Sequence, residues 1–386
     1  MKISKIFAVL IFVFSSVFAQ PQNSAEFDSL VFKGINEIYG IQFEDAEKTF
    51  NKVIKNFPKH PAGYFFDAMI EWWKILLDLN NEEYDDLFIE KLENVIDMCD
   101  DILDEDENNI DALFFKGGSL GFRGRLLSIR EDWLNAALDG KDALPLVFKA
   151  YDLDSTNMDV QLGFGIYNYY ADVIPEEYPF VKPVMIFFPN GDRKKGLEQL
   201  ELCANKGKYA KIESNYFLMT LYYMYEEDYK KAQFFNERLL EWFPDNPVFE
   251  RYKGRIMIKR FGYTQASDVF REIYKKGVEQ KPGYNNNTMR EASYYVGYDE
   301  YNKGNLDDAL IYFDDCINYS KLLNEDEESG FLINAMIIKA GILRTKNMRK
   351  AAISLLEEVL DLRDYNGSHN RAEEEIDLIK EELKSN

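Results

Sequence analysis

Small and large apolar residues recur along this chain at a fixed interval. Gly34 and Ala46, Gly254 and Ala266, Gly297 and Ala309, and Ala340 and Ala352 are each twelve residues apart. A large apolar residue follows four positions later in each case: Phe50, Phe270, Phe313 and Leu356. Three positions further on come Val53, Ile273, Cys316 and Val359. Spacings of three and four place side chains on one face of a helix. The twelve-residue interval spans a turn, so the pattern predicts pairs of antiparallel helices that cross where the side chains are small. The large residue then fills the groove between successive pairs. A further segment with Tyr229, Ala232, Leu239 and Pro244 keeps the second half of the pattern.

The interval, an aromatic near the turn (Phe43, Tyr263) and a closing proline (Pro58) resemble the tetratricopeptide repeat superfamily. The resemblance covers most of the chain. It implies an all-α fold: a right-handed superhelical stack of about eight helical hairpins. Three stretches depart from the regular repeat length. Residues 61–106 and 110–155 read as long hairpins, the first carrying Trp72 and Trp73. Gly117, Gly118, Gly121 and Gly124 form a small-residue stripe inside the second and predict close helix packing. A phosphate-binding glycine loop would follow a strand instead.

The third departure is a loop predicted over Val173–Gly191, with Pro175, Pro179, Pro183 and Pro189 breaking helix. The same loop carries Phe180, Phe187 and Phe188, too apolar a content for disorder. It predicts either a plug inside the stack or a contact for a partner or membrane surface. With Tyr167 and Tyr170 just before it, the segment is a candidate site for a small apolar ligand or lipid, as in an envelope transport component. The order Gly163-Phe164-Gly165, Ile174-Pro175, Phe188 to Arg193, then Gly196-Leu197 and Leu200 also resembles the centre of the tetratricopeptide repeat protein 39 family. That family includes a fungal member tied to inclusion-body clearance. The likeness spans about 163–200 and implies an inherited structural module with no catalytic residues.

Residues 1–19 read as a secretory signal. Lys2 and Lys5 precede the apolar run Ile6–Phe14, and Val17 and Ala19 are the small residues before Gln20. The run is shorter than a bilayer span. The expectation is an exported chain, periplasmic or extracellular if bacterial. The remaining organisation reads as an N-terminal unit at 20–60, divergent hairpins at 61–207, regular units at 208–363 and a charged capping helix at 364–386.

The formal net charge of -22 argues against nucleic acid as a partner, because phosphates need a basic surface. Cys99, Cys203 and Cys316 are too few for a disulfide framework and read as buried thiols. His60 and His369 lack neighbours at metal-ligand spacing, and the acidic run 100–107 lacks the glycine of a calcium loop. No nucleophile or phosphate-loop motif is present, so the sequence indicates neither an enzyme nor a resident metal or cofactor.

The resemblance assigns concave-face positions to the first helix of each repeat. Those positions are Arg251, Arg255 and Lys259 on one helix, Tyr294, Tyr298, Tyr301 and Asn302 on the next, and Arg344 on the third. Arginine grips a carboxylate with two hydrogen bonds and tyrosine adds flat area with a hydroxyl. The set implies a clamp for a protein or peptide with an acidic or free C-terminal end. The competing reading is that these cations pair with local Glu and Asp.

Overall fold

The computed structural model describes residues 25–182, 189–323 and 327–385. Seventeen α-helices follow one another among them, with no strand. They pair in sequence: α1 (Ala25–Tyr39) with α2 (Phe43–Asn56), α3 (Pro61–Leu77) with α4 (Asp85–Glu105), and α5 (Ile110–Ile129) with α6 (Trp133–Leu153). Next come α7 (Val160–Glu177) with α8 (Arg193–Lys206), α9 (Lys211–Met224) with α10 (Tyr229–Trp242), and α11 (Pro247–Phe261) with α12 (Tyr263–Val278). The last pairs are α13 (Asn286–Lys303) with α14 (Leu306–Lys321) and α15 (Gly330–Thr345) with α16 (Arg349–Leu360). The single helix α17 (Ser368–Ser385) follows them. This is the expected all-α stack of eight hairpins and a terminal helix.

The helices begin where the sequence supplies caps. Asn109, Asp132, Asp192, Asp228, Asn285 and Ser329 each accept a hydrogen bond from a backbone N–H in the first turn of the helix they precede. Pro61 and Pro247 occupy first-turn positions, where a missing N–H costs nothing. Gly304 ends α13 in the left-handed region at φ 81°, which a residue with a side chain reaches only at a cost.

The small residues act as the spacing implies. A methyl group added at Gly34 would lie 2.3 Å from the Phe50 ring, and one at Gly254 would lie 2.4 Å from the Phe270 ring. The large residue therefore seats against the glycine of its own hairpin as well as in the groove beyond, where Phe50 meets Phe66 of the next pair. In the α5 stripe, Gly117 and Gly124 lie tight against α6, whereas Gly121 faces open space. At the crossing of α7 and α8, Gly165 and Gly196 let the two backbones meet.

The predicted loop is shorter than its prolines suggested. Helix α7 continues to Glu177 with Pro175 inside its last turn. A proline there forfeits one backbone hydrogen bond at the helix end, where carbonyls are already losing partners. A short 3-10 turn, Pro179–Val181, follows. Residues 183–188, which include Phe187 and Phe188, lie outside the described residues, as does the proposed signal.

All three cysteines are free and buried, and burial pushes the Cys99 and Cys316 thiols up to about 12. At the far end Ala372, Ile376 and Ile379 of α17 cover the last hairpin, leaving a charged outer face as a cap should.

One feature exceeds a simple stack. A single apolar core runs from Phe27 to Ile256. Within it, elements remote in sequence touch. Asn246 Nδ2 donates to the Tyr39 carbonyl at 2.9 Å. The Trp73 ring is 5.6 Å from Phe249. Asn285 Nδ2 donates to the Leu77 carbonyl at 3.3 Å. The first two hairpins thus close onto the fifth, sixth and seventh, and the inner face of this part is largely filled by the chain itself.

Candidate functional site

The inner helices α7, α9, α11 and α13 bring an unusual number of tyrosines to one side of the stack. Tyr170, Tyr216, Tyr223, Tyr252, Tyr294, Tyr295 and Tyr298 all lie there. Tyr252 has its ring centroid 6.5 Å from Tyr216 and 5.5 Å from Tyr223. Tyr294 stacks on Tyr298 at 6.3 Å, and Tyr298 meets Tyr263 at 4.8 Å. Phe331 of α15 extends the row, 5.3 Å from Tyr294. Helical spacing explains the rows: Tyr294 and Tyr298 are one turn apart on α13.

Arg251 and Arg255, one turn apart on α11, both turn to Glu291 of α13. Arg251 Nε donates at 2.7 Å; Arg255 donates from Nε at 2.6 Å and from Nη2 at 2.7 Å. Glu291 is fully buried, and Arg251 nearly so. Burial alone would raise the Glu291 carboxyl, but the two guanidiniums hold it down at about 2. Desolvation lowers Arg251, whereas Glu291 drives Arg255 well above its ordinary value against the same penalty. The two arginines form a structural ion triad between hairpins, and the carboxylate they grip is the chain's own.

The other predicted residues divide. Lys259 is exposed, 5.8 Å from the Tyr229 ring. Tyr229 and Arg260, the residue after Lys259, line an open cleft of about 550 Å³ together with Glu226, Lys230 and Phe261 among others; Lys259 is not in its lining. Tyr294 and Tyr298 are half-buried, and Tyr301 and Asn302 are exposed at the end of α13. No hydrogen bond engages the Tyr294, Tyr298 or Tyr301 hydroxyl among the described residues. Arg344 lies apart. It donates to Glu375 at 2.9 Å and pairs with Glu382, both on α17, so the cap consumes it.

In the central segment, Tyr167 Oη donates to the Pro189 carbonyl at 2.5 Å and holds the loop exit. Tyr170 faces inward, 6.1 Å from Tyr225. Phe180 is 63% exposed and joins Trp133 and Tyr178 in a small aromatic cluster on the outside. The structure therefore does not join Tyr170 and Phe180 into one site.

Sequence reading missed Glu291, although it lies one turn before Tyr294 on the same face. It also missed Arg125, Glu213, Tyr216 and Tyr252. Arg125 Nη1 donates to Glu213 at 2.9 Å, and the other Glu213 oxygen accepts from Tyr39 at 2.9 Å. Arg125, Glu213 and Tyr216 belong to helices whose repeat pattern is irregular, so no register selected them; Tyr252 lies on the regular helix α11, beside the groove positions Arg251 and Arg255.

No helix among the described residues is long and apolar enough to cross a membrane. No protein-family model matches the chain, and no curated protein matches it. The solved structures it resembles are helical-repeat proteins. It covers 57% of a chain of the APC/C hetero-tetramer Cut9-Hcn1 over 92% of its own length, at 13% identity and a TM-score of 0.54. Human IFIT1, solved as a dimer with PPP-AAAA, gives 16% identity over 89% of this chain and 69% of that one, with a TM-score of 0.48. The TPR domain of P58(IPK) gives 15% identity over 94% and 99%, with a TM-score of 0.29. The chain spans a little over half of the Cut9-Hcn1 chain, and at these identities what is shared is the fold. That fold is an all-α stack of helical hairpins. The likeness of 163–200 to the tetratricopeptide repeat protein 39 family finds no support among these comparisons.

Proposed function

We propose that this chain is a non-catalytic, exported scaffold that binds a protein or peptide partner along the inner face of α11, α13 and α15. The observation that carries this reading is the tyrosine row Tyr263, Tyr294, Tyr298 and Tyr301, partly exposed and with hydroxyls free to bond. Aromatic side chains with a polar tip are the residues that anchor protein interfaces. The fold supports the reading by offering an extended inner surface. The arginines contribute differently from a clamp: Arg251 and Arg255 fix α11 to α13 and so set the spacing of the tyrosines. Arg344 is spent on the cap.

The test is in-cell cross-linking followed by affinity purification, comparing the native chain with a Tyr298→Ala, Tyr301→Ala pair. One dominant protein should be captured by the native chain and lost in the variant, with the helical circular dichroism unchanged. Capture that survives the double change contradicts the assignment. Export is tested separately: the mature protein should begin at Gln20, and a retained Met1 would contradict it.

A second reading, contact with a lipid surface or apolar ligand, is favoured by the outward cluster of Trp133, Tyr178 and Phe180. Phe180→Ser should then abolish sedimentation with anionic or zwitterionic vesicles. No sedimentation of the native chain would remove this reading.

A further inference from the structure

Asparagine is followed by glycine at two places in the chain, Asn190–Gly191 and Asn366–Gly367. Such a step carries its own chemistry. The backbone nitrogen after an asparagine attacks the side-chain carboxamide carbon when the backbone is free to turn, and glycine leaves that nitrogen unshielded because it has no Cβ. The fold holds the two steps in opposite ways.

Asn366–Gly367 lies in the connection that leads from α16 into α17. Asn366 is exposed at φ 51°, and Gly367 follows at φ 71°. Asparagine is one of the few residues that enters this left-handed region readily. Neither the Asn366 carboxamide nor the Gly367 N–H makes a hydrogen bond among the described residues. A methyl group added at Gly367 would meet nothing within 4 Å. The attacking nitrogen, the carboxamide and the room to bring them together are all present. Asn190–Gly191 is pinned instead. A methyl group added at Gly191 would lie 2.4 Å from Asp172 N and 2.6 Å from the Asn168 carbonyl on α7. Asp192 N–H donates to that same carbonyl at 2.9 Å, and Tyr167 Oη donates to the Pro189 carbonyl at 2.5 Å. Turning the backbone there requires lifting the segment off α7.

The bonds around Asn366 give the reaction a consequence. Tyr365 N–H donates to Ser368 Oγ at 2.9 Å, and Ser368 Oγ donates to Asp364 Oδ1 at 3.2 Å. His369 N–H donates to the same carboxylate oxygen at 3.1 Å. All of these bonds bridge residue 366, and Ser368 is buried. They seat the first turn of α17, whose Ala372, Ile376 and Ile379 cover the last hairpin. Lengthening the backbone at 366 changes the span that they close.

We propose that Asn366 is a self-modification site whose isoaspartyl product loosens the α17 cap. Gly367 N gives up its proton and bonds to Asn366 Cγ. The carboxamide nitrogen takes up a proton and leaves as ammonia, so a cyclic imide remains. Water then opens the imide. Addition at the side-chain carbonyl gives aspartate. Addition at the backbone carbonyl gives isoaspartate, in which the chain runs through the former side chain with an extra carbon in the backbone. The sum is asparagine plus water to acid plus ammonia, with nothing oxidised or reduced. This goes beyond the partner-face reading and does not depend on it.

The experiment is incubation of the full chain at mildly alkaline pH, followed by peptide mass spectrometry with electron-transfer fragmentation, which separates isoaspartate from aspartate. In the folded chain, Asn366 should convert about tenfold faster or more than Asn190, because Asn190 reacts only through local opening. In urea the two should convert alike. Asn366 remaining an amide, or equal conversion at both places in the folded chain, overturns the assignment. Hydrogen exchange on the incubated chain reads the consequence. Exchange in α17 should quicken as isoaspartate accumulates, while Asn366→Gln incubated in parallel keeps the native rate. Asn366→Asp, which carries the charge without the longer backbone, should also keep the native rate. Unchanged α17 exchange in the converted chain, or the same quickening in Asn366→Asp, overturns the loosening by a longer backbone.

Discussion

The first thirteen helices and the last four are built from the same hairpin, yet they are held differently. From α14 onward each helix touches its near neighbours in sequence, with α17 closing the end. From α1 to α13 there are also contacts across the coil: Tyr39 with Glu213 and Asn246, Trp73 with Phe249, Arg125 with Glu213, and Leu77 with Asn285 and Asn287. Repeat stacks usually gain stability only from each repeat and its neighbours. Here the winding is tight enough that non-neighbours bond, and the inner face of one part becomes core while that of the other stays open.

The largest effect that would break this contrast comes from Glu213. Glu213→Ala leaves the buried Tyr39 hydroxyl and the half-buried Arg125 guanidinium without their shared acceptor. Losing that shared acceptor costs about 3 kcal/mol. Urea unfolding followed by circular dichroism should show that loss. A midpoint like the native chain's would mean the cross-coil contacts contribute nothing.

The next pair of changes compares two inner-helix glycines. Gly254→Ala drives a methyl against the Phe270 ring and should cost about 1–3 kcal/mol by overpacking. Gly341→Ala on α15 meets nothing within 4 Å and should be neutral or stabilising by up to about 1 kcal/mol, the helix-propensity gain. The same melts measure both, and equal effects would contradict the packing account.

The wound part should also have its own pH behaviour. His60 caps α3 through Nδ1, and its Nε2 lies 3.5 Å from Asp111 Oδ2 on α5. Burial lowers His60 to about 4 and raises Asp111 to about 6. A histidine held below its unfolded value loses stability as pH falls from about 6.5 to 4. A carboxyl held above its unfolded value is penalised at neutral pH, and the penalty fades as pH falls from about 6 to 4. The two trends oppose each other in one window. Asp111→Asn should therefore make the chain more acid-sensitive than native between pH 6.5 and 4, by about 2 kcal/mol. His60→Gln should make it less so. Parallel pH profiles for all three proteins would rule this out.

The smallest expected effect lies at the far end. Arg344→Ala removes a network with Glu375 and Glu382 that is open to solvent, and should cost less than about 1 kcal/mol.

The hairpins were legible because their signal is local. Gly34 with Phe50 and Gly254 with Phe270 encode one crossing each, and capping residues mark where helices start. The winding was not legible, because a bond from Asn246 to the Tyr39 carbonyl leaves no periodic trace. The site was half legible. The spacing rule found Tyr294 and Tyr298 and the two arginines, but a rule for positions does not say what a side chain pairs with. Glu291 answers Arg251 and Arg255, and α17, beyond the last repeat, answers Arg344. Pro175 shows the converse error: a breaker read locally was absorbed by the last turn of α7.

Hydrogen exchange under native conditions, comparing the native chain with Glu213→Gln, tests the central claim most directly. The account predicts faster exchange in α1, α3, α5, α9 and α11 together, with α15 and α17 unchanged. Faster exchange confined to α9 and its sequence neighbours α8 and α10 would contradict it. The chain would then be an ordinary nearest-neighbour stack along its whole length.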